Sequence, residues 1–97
     1  MQYQEQINLP KGSKTTKVGA DENALLIEID KDLNIQYDGE KYTLDSFPDA
    51  FQLKTANIDK EKAVYINADK DILYDNVIYL LKVVKDSGFT KASLLTL

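Results

Sequence analysis

The stretch from residue 63 to residue 97 constrains the fold most, because its hydrophobic period changes twice within it. Residues 63–68 form a short apolar run with β-branched and aromatic side chains, which is typical of a buried strand. From residue 75 the apolar residues recur at helical spacing. The predicted helical face comprises Val77, Ile78, Leu80, Leu81 and Val84.

The ends of this helix also carry sequence signals. Asp75 is a candidate N-cap, and Gly88 suits the left-handed position that closes a helix. Phe89 is then placed to fold back onto the last turn. Residues 91–97 alternate again, so the stretch predicts strand, helix, strand. Two strands joined through a helix are expected to lie parallel.

Three shorter strands are predicted upstream. Residues 24–30 form a compact apolar strand, and Leu33, Ile35 and Tyr37 alternate with polar residues. Asp38-Gly39 is a strong signal for a two-residue hairpin turn, which places residues 40–43 on the returning strand. These segments predict an antiparallel meander.

A first helix is predicted from Asp45 or Ser46 to about Asn57, with Pro48 in its first turn. Its inner face comprises Phe47, Ala50 and Phe51, with Ile58 packed beneath. The order is therefore β-β-β-α-β-α-β. The fold class predicted is α+β, a two-layer sandwich in which two helices cover one face of a mixed sheet of about five strands.

The first 22 residues differ in composition from the rest. They contain one proline, two of the four glycines and a cluster of Lys, Ser and Thr, which is typical of a mobile linker. We therefore expect a flexible segment at residues 1–22 and one globular domain at residues 23–97.

Composition excludes several classes of function. The net charge is −4, with +2 over residues 1–20 and −6 over residues 21–97. An acidic domain argues against nucleic-acid binding, which needs a basic surface. Cys and His are absent, which removes the commonest nucleophilic thiol, general base and zinc ligands. We expect no catalytic residue and no cofactor, although a small enzyme using paired carboxylates is the remaining alternative.

Two Asp-Lys-Asp triplets, at residues 30–32 and 69–71, are the only candidate metal ligands. Carboxylate oxygens suit hard cations, but a calcium loop needs further ligands at defined offsets, and neither triplet has them. Aspartate also favours turns through its own side-chain hydrogen bonds. We therefore interpret both triplets as turns and expect no metal site.

The last strand leaves two alternatives open. It carries Leu94 on one side, Leu95 and Leu97 on the other, and a single charge at Lys91. It is either a central strand buried on both faces or an edge strand that pairs with a second copy or a partner peptide. In the second case, Leu95→Asp is expected to weaken association more than folding.

Several phrases, in this order, resemble the periplasmic domain of the ExbD/TolR family of biopolymer-transport proteins. They are INLP at 7–10, IEID at 27–30, IQYDGE at 35–40, VYINADKD at 64–71 and SGFTK at 87–91. Tyr74 and Val77 also match. The resemblance covers residues 6–97.

This resemblance implies a non-enzymatic domain in the periplasm, anchored by one inner-membrane helix that is not in this sequence. It implies an ExbB/TolQ-type channel subunit and a TonB/TolA-type protein as partners, in a motor driven by the proton-motive force. An ExbD-like role in TonB-dependent transport is favoured, and a TolR-type peptidoglycan-binding domain is the alternative. We expect partner binding or homodimerisation to involve Leu9, Pro10, Lys91, Ser93, Leu95 and Leu97.

Overall fold

The order of strands and helices agrees with the sequence prediction. A computed structural model describes residues 23–96. Its elements are β1 (Leu25–Ile29), β2 (Ile35–Tyr37), β3 (Glu40–Tyr42), α1 (Phe47–Lys54), β4 (Ala63–Ala68), α2 (Tyr74–Asp86) and β5 (Lys91–Thr96). Residues 1–22 and Leu97, and the linker predicted at 1–22, lie outside the described residues. None of the helices within residues 23–96 is both long and apolar enough to cross a bilayer.

The five strands form one mixed sheet in the order β3-β2-β1-β4-β5. The meander pairs antiparallel, β1 with β2 and β2 with β3. β4 inserts beside β1 in parallel, and β5 pairs parallel with β4. The parallel pairing predicted for the strand–helix–strand unit is confirmed, and β3 and β5 form the two edges.

Both helices cover the same face of this sheet. Alternation along each strand directs one set of side chains toward the helices. On β1 and β4, Ile27, Ile29, Val64 and Ile66 are at most 1% exposed and belong to the main core cluster. Phe47 and Phe51 from α1 and Val77, Leu80 and Val84 from α2 join the same cluster. The fold is therefore the predicted two-layer α+β sandwich.

Aromatic rings join the parts of this core. The Phe51 centroid lies 5.2 Å from those of Tyr37 and Phe47 and 5.8 Å from that of Phe89. The Tyr37 contact is edge-on, a favoured geometry that adds about 0.5–1.5 kcal/mol to area burial. Phe51 thus connects α1 to the meander and to the start of β5.

The turns show one confirmation and one correction. Asp38 and Gly39 have φ of 53° and 81°, as the predicted hairpin turn requires. Leu33, predicted on a strand, instead lies in the β1–β2 turn with φ of 69°, a strained value for a leucine. Its side chain packs against the core, which compensates the strain. Burial of the Leu33 side chain, and not the alternation of apolar residues, therefore determines the backbone conformation at this position.

The helices also differ from the predictions in detail. α2 begins at Tyr74, its N-cap is Leu73, and Asp75 lies in the first turn without acting as the cap. Ile78 is 42% exposed, whereas Val83, absent from the predicted face, is buried. The buried stripe is therefore centred farther round the helix, because α2 packs over β4 as well as β5.

The ends of the two helices are held differently. α1 ends at Lys54, three residues earlier than predicted, and the buried Thr55 hydroxyl donates to the Phe51 carbonyl. α2 ends as predicted, since Gly88 has φ of 104° and the Phe89 N–H donates to the Val84 carbonyl. The end of α2 brings Phe89, which is 1% exposed, into the core.

Lys60 stabilises the segment that follows α1. Its Nζ donates to the carbonyls of Thr55 and Ile58 at 2.7 and 3.0 Å, and it lies 5.1 Å from the centroid of the Phe89 ring. The ammonium therefore supplies a charged donor to two carbonyls of the segment that follows α1, one of which also accepts the Ile58 N–H. It also makes a cation–π contact with a core ring.

We predict that Lys60→Met lowers the free energy of unfolding by about 2 kcal/mol, because hydrogen bonds to a charged group are lost while the aliphatic stem remains. Urea unfolding measures the effect. Lys62→Met is the matched control, since the Lys62 ammonium has no partner among residues 23–96. Equal unfolding midpoints for the two variants would contradict this account of Lys60.

Both Asp-Lys-Asp triplets are turns, as predicted. Asp30 Oδ1 accepts from the N–H groups of Asp32 and Asn34, each at 2.9 Å. In the second triplet, Asp69 Oδ1 accepts from the Asp71 N–H at 2.9 Å. The hydrogen bond from the Asn34 backbone is the main cause that lowers the pKa of Asp30 below its ordinary 3.8.

We predict that Asp30→Ala lowers the free energy of unfolding at neutral pH, and that the difference in this free energy between wild type and variant becomes smaller in acid. As pH falls below about 4, the unfolded state takes up the Asp30 proton before the folded state does, so this stabilisation is lost. Urea unfolding at several pH values gives the difference. Asp32→Ala is the control, because the Asp32 carboxylate makes none of these hydrogen bonds, and its effect on stability should not depend on pH in this way. If the loss of stability in Asp30→Ala is the same at every pH, the Asp30 carboxylate does not stabilise the turn through its charge.

Candidate interaction edge

The two edges of the sheet differ in how well they are blocked against further pairing. β3 has only three residues, two of them charged, Glu40 and Lys41. Lys54 from α1 lies 3.6 Å from Asp38 and 3.5 Å from Glu40, which ties the hairpin to the helix. Short, charged edge strands resist addition of another strand. This edge is therefore protected.

Tyr42 adds a hydrogen bond to the charged cluster at the β3 edge. Its hydroxyl donates to Glu40 Oε1 over 2.7 Å. Desolvation of its half-buried ring, followed by this hydrogen bond, raises the pKa of Tyr42 to about 12. The phenol therefore stays a neutral donor over the physiological pH range, and the β3 edge keeps its bonded cluster.

β5 forms the unprotected edge. It has six residues, contains no proline, and carries its single charge at Lys91, at its start. Its only described neighbour in the sheet is β4. Within residues 23–96, no strand pairs with the N–H and C=O groups that point away from β4, and such groups can pair with a further strand. This position decides between the two predicted alternatives: the central-strand interpretation was wrong.

The predicted site residues are only partly brought together. Lys91, Ser93 and Leu95 align with Ala63, Tyr65 and Asn67 of β4. They therefore lie on the face of the sheet opposite the helices, here called the open face. Leu9, Pro10 and Leu97 lie outside the described residues, so their part in the site stays a prediction.

The three described positions have different surroundings. Lys91 Nζ lies 3.6 Å from Glu61 Oε1, with both side chains exposed. Ser93 is exposed, whereas Leu95 is only 7% exposed. Leu94, on the helix side, packs against the main core. An added strand would thus meet the backbone of β5 and the Ser93 side chain, whereas the Leu95 side chain is already nearly covered.

A groove beside this edge was not anticipated from the sequence. It has a volume of about 520 Å³ and lies between the end of α2 and the start of β5. Its lining residues are Leu81, Lys85, Gly88, Phe89, Thr90 and Ala92. The only sequence signal for it was the apolar width of α2, which had been assigned to the core.

The open face carries a second feature, a row of polar side chains across four strands. The register places Lys41 beside Gln36, Gln36 beside Glu28, and Glu28 beside Asn67. We call these four residues the polar row. None of their side chains makes a hydrogen bond or ion pair with the described residues, and they line a depression of about 440 Å³. The row could bind a hydroxyl-, amine- or carboxylate-bearing ligand.

The other polar and aromatic groups among residues 23–96 are spread over the domain. Within residues 23–96, no three acidic, His or Cys side chains converge as a metal site would require. The tyrosines are dispersed: Tyr37 packs in the core, Tyr65 lies on the open face, and the Tyr79 hydroxyl donates to the Leu44 carbonyl. They form no shared aromatic platform.

Comparison with known proteins agrees with this geometry. A family model described as biopolymer transport protein ExbD/TolR matches residues 1–97. The chain belongs to the ExbD/TolR family. It is 48% identical over 94 residues to the biopolymer transport protein ExbD-like 1 of Helicobacter pylori strain J99, covering 97% of this chain and 70% of that protein. The same protein of strain 26695 matches to the same extent.

Membership confirms the resemblance drawn from the sequence phrases. ExbD/TolR proteins are transport proteins, and the named relatives are ExbD-like. Three of the matched phrases, IEID, VYINADKD and SGFTK, form β1, β4 with its following turn, and the closure of α2. These segments build the part of the fold that carries the β5 edge.

For this ExbD/TolR domain we predict different outcomes from aspartate at two neighbouring positions of β5. Leu95→Asp, first expected to affect association more than folding, should cost about 3 kcal/mol of stability because Leu95 is buried. Ser93→Asp should change stability by less than about 0.5 kcal/mol while weakening association.

Urea unfolding and sedimentation equilibrium separate the two effects. Gln52→Asp is the matched control, because it places the same charge at an exposed position of α1, outside both sheet edges and the polar row. If Ser93→Asp associates like wild type at every concentration, as Gln52→Asp should, β5 is not the association edge.

Proposed function

We propose that this chain is the periplasmic part of an ExbD-like subunit in a motor driven by the proton-motive force. In this proposal a single inner-membrane helix outside this sequence anchors the full protein. The subunit works with an ExbB/TolQ-type channel and delivers force to a TonB-type protein, which energises transport through the outer membrane. The domain itself catalyses no reaction.

The observation that carries the proposal is the 48% identity to ExbD-like proteins over nearly the whole chain. The β5 edge supports it on physical grounds, since a force-transmitting domain needs a surface that captures an extended partner. Backbone pairing supplies affinity with modest demands on the partner's sequence. The net charge of −4 also fits a protein partner better than a nucleic acid.

A strain lacking the gene tests the proposal. Uptake of a substrate of a TonB-dependent outer-membrane receptor should fall to background and return when the full-length gene is restored. The Ser93→Asp gene should restore less uptake than the Gln52→Asp gene at equal protein level. Normal uptake in the deletion strain, with the channel subunit intact, would rule out the proposed role.

The polar row favours a second candidate, peptidoglycan binding of the TolR type. Amide, carboxylate and ammonium groups in a shallow depression suit the hydroxyls and charged stem peptides of that polymer. Gln36 and Asn67 supply both donors and acceptors, and neither is engaged by the described residues.

Co-sedimentation with purified peptidoglycan distinguishes this candidate from the first. Under it, wild type pellets with the polymer, and Gln36→Ala combined with Asn67→Ala reduces the bound fraction several-fold, whereas Ser93→Asp does not. Absence of wild-type protein from the pellet leaves the ExbD-like role as the sole candidate.

A further inference from the structure

The groove at the end of α2 combines apolar walls with two polar side chains. Leu81, Phe89 and Ala92 supply apolar surface, whereas Lys85 and Thr90 are polar. Its volume of about 520 Å³ lies within the range of small-molecule sites, about 300–1,000 Å³. Such sites are mostly apolar and carry a few polar groups that fix the orientation of the ligand. The groove has this composition, and neither the motor role nor the peptidoglycan candidate involves it.

Apolar side chains extend the groove along the helix. Four residues at spacings of four, three and four lie on one side of α2. They are Tyr74, Ile78, Leu81 and Lys85. Leu81 and Lys85 line the groove itself, and Ile78 and Tyr74 are 42% and 49% exposed. We call the groove together with these four residues the α2 trough, which has Lys85 at one end and Tyr74 at the other.

Lys85 gives its end of the α2 trough an unpaired positive charge. Two neighbouring lysines are engaged within the domain. Lys82 lies 3.5 Å from Asp86. Lys91 lies 3.6 Å from Glu61. The Lys85 ammonium makes no ion pair or hydrogen bond with residues 23–96, so it can serve as the counter-ion of a bound anion.

The end of α2 can tolerate an anion beside this lysine. The last carbonyls of a helix carry partial negative charge when they are unpaired. Here the carbonyls of Val83, Val84 and Lys85 each accept a hydrogen bond from an N–H group of residues 87–89. The Thr90 hydroxyl makes no hydrogen bond with the described residues and can donate to the same anion.

We propose that the α2 trough binds a monomeric single-chain amphiphile with an anionic head group, such as a fatty acid. The carboxylate lies beside Lys85 and Thr90, and the alkyl chain follows Leu81, Ile78 and Tyr74. This site goes beyond the proposed transport role and does not depend on it.

The length of the trough sets the length of the alkyl chain. Tyr74 to Lys85 spans about 16 Å at a rise of about 1.5 Å per residue. An extended alkyl chain advances about 1.25 Å per methylene, given C–C bonds of about 1.5 Å. The trough therefore accommodates a chain of about 12 carbons.

A free amphiphile fits this surface better than a membrane does. Anionic lipid surfaces recruit proteins through clusters of basic residues. Residues 21–97 instead contain nine lysines and fifteen acidic residues, a net charge of −6. Of the four α2 residues that form the trough, Lys85 alone is charged. One cation in an apolar trough suits one carboxylate head.

Titration of the 97-residue chain with sodium octanoate, decanoate and dodecanoate, below their micelle concentrations, tests the proposal. Amide chemical shifts report both the location of binding and the Kd. Shifts should centre on α2 and the start of β5. Each pair of added methylenes should lower the Kd about fourfold, because an open trough buries about half of their surface. Dodecyltrimethylammonium, which has a cationic head on the same chain, should bind more weakly than dodecanoate.

Two variants separate the head from the chain. Lys85→Glu should weaken dodecanoate about two- to fivefold, the range expected for an exposed ion pair, and should favour dodecyltrimethylammonium. Lys41→Glu, the same charge change on β3, should leave both Kd values unchanged. Ile78→Ser should weaken both amphiphiles without lowering the melting temperature, since Ile78 is partly exposed. Leu53→Ser is its matched control, because Leu53 is 78% exposed on α1 and lies outside the trough.

Equal affinity for octanoate and dodecanoate would overturn the proposal, as would equal dodecanoate affinity of wild type and Lys85→Glu. Shifts spread over α1 or the polar row would also overturn it. Sedimentation with phosphatidylglycerol vesicles distinguishes a bilayer from a free amphiphile, and wild type should stay in the supernatant. Co-sedimentation that Lys85→Glu or Ile78→Ser abolishes would assign the trough to a membrane surface and contradict the proposal.

Discussion

The parallel pairing of β4 with β5 depends on α2 packing across both strands, and the rest of the structure follows from that contact. The helix must bury Val77, Leu80 and Val84 against the sheet, and the strand after it can only return parallel to β4. Because β1 already occupies the other side of β4, β5 lies at the edge. The buried face of α2 thus determines which strand forms this edge of the sheet.

The two faces and the two edges of the sheet differ. Among residues 23–96, the helices cover one face, and the open face carries the polar row, whose side chains make no hydrogen bond or ion pair with these residues. The β3 edge is blocked by charged side chains, whereas the β5 edge is not. The cluster of Tyr42, Glu40 and Lys54 stiffens the β3 edge. This asymmetry leaves β5 as the less protected of the two sheet edges among the described residues.

Much of the fold could be predicted because its signals are local. The apolar periodicity of residues 63–97, the Asp38-Gly39 turn and the glycine that closes α2 each depend on a few adjacent residues. The Asp-Lys-Asp turns were predictable for the same reason, since each aspartate bonds to its own following backbone. The family could also be identified, because phrases such as VYINADKD keep their order along the chain.

The tertiary structure alone decided what these elements expose. Leu33 adopts a left-handed conformation because the core takes up its side chain, and Ile78 is exposed because α2 packs centred on Val77, Leu80 and Val84. The alternation of residues in β5 showed that its two faces differ. Its place at the edge of the sheet depends on β1 occupying the other side of β4. The sequence by itself determined which segments form strands and helices. The order of strands in space determined which backbone groups lie at a sheet edge and which apolar side chains border them. That order depends on contacts between residues far apart in the chain, so no local pattern predicts it.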